Sequence, residues 1–215
     1  MLKTTRHIGT VGMMFDNNPA RYFVNSYKDM LAFSRRYLCP AGTDIKEANA
    51  TVSWHEMGRN QICDELEGEW LFMTDTDHCF MPDLLGRLLR VMKTYDLPVV
   101  SGIYTYKQAD MGLRPVANIP DGKGGFAPLV TWDPKEEIVQ VANVGGGALL
   151  IRADVIKRIK KELKQQPFDN IQGYSEDYSF CKRCADLKIP VFLCPNIESH
   201  HVHPNILSIK DYKPQ

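Results

Sequence analysis

The run Glu69-Trp70-Leu71-Phe72-Met73-Thr74-Asp75-Thr76-Asp77-His78 constrains the fold more than any other part of the chain. Its apolar residues are consecutive, the mark of a strand buried within a sheet, and they give way abruptly to acids. Pro82, suited to a first helical turn, then opens a helix striped by Leu84, Leu85, Leu88, Leu89 and Met92. The same alternation recurs along the chain. A strand over 7–15 closes at the turn-like Asp16-Asn17-Asn18-Pro19, and a helix over 20–38 ends at Pro40-Ala41-Gly42. Further strands are expected over 50–54, 99–104, 138–142, 148–152 and 191–194, and further helices over 58–67, 153–163 and 177–187. Residues 107–135, rich in Gly and Pro and poor in periodicity, suit a functional loop or small hairpin excursion. Strands alternating with helices predict an α/β fold: a mainly parallel, Rossmann-like mixed sheet flanked by helices.

Length and charge narrow the classes. The 215 residues amount to roughly one typical domain, so residues 1–215 are expected to form one unit. A hydrophobic share of 44% and a charged share of 24% exclude a disordered or collagen-like chain. Lys+Arg and Asp+Glu are 26 each, and zero net charge speaks against autonomous nucleic-acid binding. No stretch approaches the roughly 20 apolar residues of a membrane span, so no membrane anchor is expected. No long apolar segment follows Met1–His7, and Cys39, Cys63, Cys79, Cys181, Cys184 and Cys194 form no regular framework. Reduced thiols and a cytoplasmic location are the expectation, with a viral or bacterial accessory enzyme as one fit.

Four segments carry chemistry. Asp75 and Asp77 follow the buried run, at the carboxyl end of a strand where open α/β sheets bind ligands. Two apart on an extended segment, their carboxylates point the same way and can address one Mg²⁺ or Mn²⁺ ion. The bland reading is a solvated strand-end turn. Ser175-Glu176-Asp177-Tyr178 precedes an amphipathic helix; it reads as a cap, or as a source of a general base from Glu176 or Asp177. His200, His201 and His203, half of the six histidines, follow the last strand. An imidazole completing an oxygen-ligated site favours Mn²⁺, and His201 or His203, on one side of an extended segment, is the candidate. Gly145-Gly146-Gly147 permits close backbone approach to a ligand, or is a flexible turn. No Gly-Lys-Ser/Thr loop and no Gly-x-Gly-x-x-Gly fingerprint is present. Cys181-x-x-Cys184, with Cys194 and a histidine, offers structural zinc, against core packing of a helix.

Taken in order, these segments resemble a GT-A glycosyltransferase, close to the small family 2-like and Anp1-like enzymes. The resemblance rests on the opening strand, Gly58-Arg59-Asn60, the Asp75-Thr76-Asp77 motif, Val100–Tyr104, Val144–Arg152, Ser175-Glu176-Asp177 and the late histidines. It implies transfer of a sugar from a nucleotide diphosphate donor, UDP-linked by family habit, to an acceptor hydroxyl. Thr10, Val11 and Arg59 would then line the nucleotide pocket. Asp75 would contact ribose or metal, and Asp77 would ligate the metal on the diphosphate. Gly145, Gly146 and Gly147 would lie near the donor sugar, and Tyr104 and Lys107 would contact donor or phosphate. Asp177, or Glu176, would deprotonate the acceptor in an inverting reaction. The acceptor stays open among glycan, protein and modified nucleobase. The chain is short for an elaborate acceptor domain, and a lipid-linked acceptor is not supported.

Two rivals differ in chemistry. A nucleotidyltransferase would use Asp75 and Asp77 for Mg²⁺ and release pyrophosphate, although no Gly-rich basic triphosphate loop stands near the first strand. A non-catalytic binding module would instead be held by zinc on Cys181, Cys184, Cys194 and a histidine.

Overall fold

A computed structural model describes residues 5–14, 21–51, 54–108, 112–123, 125–133, 135–203 and 205–207. Strand β1 (Arg6–Met14) leads through α1 (Arg21–Leu38), β2 (Thr43–Ala50) and α2 (His55–Asp64) to β3 (Trp70–Asp75). A turn then gives the short β4 (His78–Phe80), followed by α3 (Leu84–Thr94) and β5 (Val99–Ile103). The excursion contains β6 (Thr105–Gln108), β7 (Gly112–Pro115), β8 (Ala117–Pro120), β9 (Phe126–Pro128), β10 (Val139–Val141) and β11 (Asn143–Val144). A 3₁₀ turn (Gly146–Ala148) opens β12 (Leu149–Arg152), and α4 (Ala153–Arg158) continues as a π-helical turn (Ile159–Leu163). The chain closes with α5 (Glu176–Asp186), β13 (Val191–His203) and β14 (Asn205–Leu207).

The main sheet has the order β10-β13-β5-β12-β3-β1-β2, with β4 and β14 pairing onto β13. Strands β2, β1, β3, β5 and β13 point one way, while β12 runs against both its neighbours and β10 runs against β13. The sheet is therefore mixed, and the expectation of a mainly parallel one holds for strand direction rather than for neighbour pairing. The cause is the excursion. It leaves from the carboxyl end of β5, so β12 begins at that end and must run back.

Alternation along the central strands explains their unbroken apolar runs. Leu71 and Met73 of β3, with Leu149 and Ile151 of β12, face a core shared with α2, α4 and α5. Trp70, Phe72 and Leu150 face the opposite core, closed by α1 and α3. Each strand thus fills two cores, and burying a side chain such as the fully enclosed Phe72 contributes about 1.5–3 kcal/mol.

Strand β2 departs from expectation. The strand anticipated over 50–54 is not there: Ala50 ends β2, Trp54 precedes α2, and Val52 and Ser53 lie outside the described residues. So does the turn at 16–19. The charges of Asp44, Lys46 and Glu47 disguise β2 as a loop, because it is an edge strand. Ile45, Ala48 and Ala50 turn inward, while Arg35 of α1 donates to Asp44 Oδ1 at 2.9 Å and to Glu47 Oε1 at 2.8 Å. The last strand is also longer than expected. Its register shifts between Cys194 and Glu198, after which it leaves β5 to pair with β4. Gly102 admits this bulge, since a Cβ there would lie 2.9 Å from the Ile197 carbonyl oxygen. The late histidines consequently sit on the strand rather than behind it.

Helix packing on β1 is equally close at Gly12, where a Cβ would meet Ile62 Cγ2 at 2.3 Å. At Gly86, in the first turn of α3, the nearest atom is Leu38 Cδ2 at 3.8 Å. Gly12→Ala is expected to destabilise the fold by about 1–3 kcal/mol through overpacking. Gly86→Ala is expected to stabilise it by up to about 1 kcal/mol through helix propensity. Urea titrations followed by circular dichroism check this; shifts of the same sign would refute the packing account.

Candidate functional site

The acids, histidines and Arg59 converge at the carboxyl edge of the sheet. Alternation along β3 turns Asp75, like Met73, toward the face covered by α2 and α5. There it meets Arg59, whose side chain is only 2% exposed. The guanidinium donates from Nη2 to Asp75 Oδ1 at 2.8 Å, from Nε to Glu176 Oε1 at 3.1 Å and from Nη1 to the Gly146 carbonyl at 3.4 Å. The Phe168 ring lies below it, 6.0 Å away. Burial alone would lower the pKa of Arg59, but Asp75 and Glu176 outweigh it and hold the group charged.

Beyond Asp75 the segment no longer stays extended. Thr76 and Asp77 form the turn into β4, and both carboxylates reach the same cleft, Asp75 tied to Arg59 and Asp77 to His201. Asp77 Oδ2 lies 2.9 Å from His201 Nε2, and the Asp77 carbonyl accepts the Val202 N–H at 2.6 Å. His78 Nε2 is 3.7 Å from Asp77 Oδ1. One donor atom from each of Asp77, His78 and His201 falls within 4.8 Å of the others, the geometry of a candidate metal group. Asp75 lines the same cleft but stands outside that group.

The electrostatics suit ligand donors. His78 is buried, its Nδ1 paired with Ser199 Oγ at 2.8 Å, and burial pulls its pKa down to about 4 against the pull of Asp75 and Asp77. A neutral imidazole keeps a lone pair for a cation. The hydrogen bond to Asp77 raises the pKa of His201, while Asp77, whose burial pulls the other way, is held low by His201 and His78 together. An O,N,N donor set of this kind suits a divalent transition-metal ion better than Mg²⁺, which prefers oxygen alone.

Two residues from the head of α5 divide in the same manner as the aspartates. Glu176 is engaged by Arg59, whereas Asp177 lines the cleft. Asp177 Oδ1 accepts the Tyr178 N–H at 2.8 Å and the Ser175 hydroxyl. Ser175 occupies the N-cap position without a side-chain bond to the helix backbone, so capping by its hydroxyl is not its role. Burial, then Glu176, raises the pKa of Asp177.

The three glycines have a reason that flexibility does not supply. A Cβ at Gly145 would sit 1.9 Å from Tyr104 Oη, one at Gly146 2.4 Å from the Arg59 guanidinium, and one at Gly147 2.3 Å from the His78 ring. All three are buried, and Gly147 N–H donates to Tyr104 Oη at 3.3 Å. They seat site side chains rather than line the cleft. Tyr104 stands edge-on to His78 with centroids 4.5 Å apart.

Other expected residues lie elsewhere. The Thr10 hydroxyl bonds the Glu67 backbone and Val11 is fully buried in the core, so neither faces the cleft. Of β1 it is Met14 that pairs with Asp75, placing the strand's far end at the site. Lys107 and His203 fall on β6 and β13, but their side chains lie outside the described residues. His200 points away and meets Glu198 at 3.5 Å. A zinc site on the cysteines is overturned by geometry: Cys181 and Cys184 pack in one core and Cys194 in the other, across the sheet. Sequence reasoning gave no role to His78, Tyr106, Val116 and Tyr178 of the cleft. His78 and Tyr178 left a signal, as the residues directly after Asp77 and Asp177.

The cleft is open, about 390 Å³, and is lined by Asp77 and His201 together with Tyr106, Val116 and Tyr178. No family model matches the sequence, nor does any curated protein. Solved structures do match. A197 from STIV aligns at a TM-score of 0.54 and 13% identity, over 90% of this chain and 85% of that one. GalNAc-T7, solved with UDP, GalNAc and Mn²⁺, aligns at a TM-score of 0.62 and 8% identity over 94% of this chain. This chain spans only 45% of that protein's chain. At such identities the likeness is one of fold: a curled mixed α/β sheet flanked by helices, similar to that GT-A glycosyltransferase.

The division of roles is measurable. Arg59→Ala strands Asp75 and Glu176 and is expected to destabilise by about 3–5 kcal/mol. Asp77→Ala, at a side chain 53% exposed, is expected to stay within about 1 kcal/mol of the parent. Comparable losses in chemical denaturation would contradict this separation.

Proposed function

We propose that this chain is a single-domain, metal-dependent glycosyltransferase that moves a sugar from a nucleotide diphosphate donor, UDP-linked, to an acceptor hydroxyl. One observation carries the reading: Asp77 and His201, separated by 124 positions, meet at 2.9 Å on the carboxyl edge of the sheet, with Asp75 beside them. That GalNAc-T7 shares the fold and was solved with UDP and Mn²⁺ supports it. Among the described residues no helix is long and apolar enough to cross a membrane. We place the activity in the cytoplasm, and the STIV neighbour suits a viral origin.

In this reading Asp77 and His201 hold the cation, with neutral His78 as a third donor. When bound, the cation offsets the negative charge that develops on the departing nucleoside diphosphate. Arg59 fixes Asp75 at the cleft floor, where its second oxygen can meet ribose or a cation-bound water. Tyr104, held by Gly147 and packed on His78, keeps that imidazole in place and water out from behind it. In an inverting transfer Asp177 accepts the proton of the acceptor hydroxyl, its raised pKa making it a stronger base than an ordinary carboxylate. Glu176, held by Arg59, orients the floor instead.

Calorimetric titration with UDP, with and without Mn²⁺, tests the proposal. Binding is expected to require Mn²⁺ and to weaken at least about tenfold, ~1.4 kcal/mol, in Asp77→Ala and in His201→Ala. Asp177→Asn is expected to keep that binding and to lower turnover of the cognate sugar donor by about 10²–10⁴-fold. Metal-independent UDP binding that Asp77→Ala leaves unchanged would overturn the proposal, and pyrophosphate release from a nucleoside triphosphate would replace it with nucleotidyl transfer.

A further inference from the structure

A second, larger recess of about 810 Å³ opens at the opposite edge of the sheet. It lies between the start of β1, the end of α1, the residues entering β3 and one face of α3. Trp70 lines the recess and Asp75 the cleft, at the two ends of β3, so five residues at ~3.3 Å each, about 17 Å, separate the two. It is a separate place on the molecule.

Its chemistry is two-sided. Partly exposed Ile8 and Leu38 supply apolar surface, backed by the edges of the nearly buried Trp70 and Leu89, as an outward extension of the core beneath α1 and α3. Arg6, Arg90 and Lys93 stand around that surface, while Glu69 is the one carboxylate among the lining residues. Arg90 reaches Glu137 only at 4.0 Å and is 69% exposed, so its charge is weakly compensated. In a chain of zero net charge, three cations against one acid is a local excess that the bulk composition does not dictate.

Gly86 adds an independent sign. It lines the recess, and in helix α3 a glycine is unfavourable by about 0.8–1 kcal/mol relative to alanine. Packing does not require it, because a Cβ would find its nearest neighbour at 3.8 Å. What a larger side chain there would do is fill the recess beside Leu38. An absent side chain that neither backbone angle nor packing demands is accounted for by space kept open.

We infer that this recess is a binding site for a small amphiphilic anion, an apolar body seated on Ile8, Leu38, Trp70 and Leu89 with a phosphate or carboxylate facing Arg6, Arg90 and Lys93. Its volume falls within the usual range of small-molecule pockets, about 300–1,000 Å³, and the charge excess selects an anion. The site does not depend on the metal cluster or on sugar transfer.

Titration of the full chain with monomeric octyl phosphate, 1-octanol and inorganic phosphate tests it. Octyl phosphate is expected to bind at least about tenfold more tightly than either of the others, because only it satisfies both surfaces. Gly86→Leu is expected to abolish that binding, and Arg90→Ala with Lys93→Ala to weaken it by about fivefold or more, each leaving Mn²⁺-dependent UDP binding unchanged. Should Gly86→Leu fail to fold, the surface pair Arg90→Ala and Lys93→Ala still decides. Equal binding of octanol and octyl phosphate, insensitivity to these variants, or a dimer that Gly86→Leu dissociates would overturn the inference. Failure of UDP to bind the parent protein would count against sugar transfer alone and leave this site standing.

Discussion

The arrangement of the cleft depends on one buried cation. An arginine cannot shed its proton inside a protein, so Arg59 must be met by acids or the fold does not form around it. Asp75 comes from the end of β3, Glu176 from the head of α5, and the Gly146 carbonyl from the turn into β12. These segments are far apart in the chain, and their common debt to one guanidinium fixes how strand end, helix start and glycine turn stand to one another. It also sorts the acids. Each acidic pair gives one member to Arg59, Asp75 or Glu176, and leaves the other, Asp77 or Asp177, to the cleft, which Asp75 lines as well.

Much of this was readable in the sequence, for identifiable reasons. Strands buried on both faces announce themselves by unbroken apolar runs, so β3, β5 and β12 were expected close to where they lie. Edge strand β2 was not, because its charges are satisfied by Arg35 from another element, a tertiary fact with no local trace. The aspartates, the choice of Asp177 or Glu176 and the choice of His201 or His203 rest on residue type and position, and of these the cleft brings Asp75, Asp77, Asp177 and His201 together. Thr10 and Val11 were placed too early on β1, since which end of a strand reaches the rim depends on register with β3. The sharing of acids was beyond sequence reasoning, because an extended segment and a turn at 75–77 look alike in one dimension.

The likeness to A197 and GalNAc-T7 at 13% and 8% identity, without any matching family model, fits this picture. A sheet packed on both sides tolerates many apolar sequences that keep volume and alternation.

The glycine turn limits how such a cleft can change. Gly145, Gly146 and Gly147 each abut a different group, Tyr104, Arg59 and His78 in turn, leaving no slack under any of them. Those three positions form a mould of fixed dimensions behind the cleft, and Val116, which a Cβ on Gly145 would meet at 2.7 Å, belongs to it as well. Change in a cleft built this way is channelled to lining positions that do not rest on that turn.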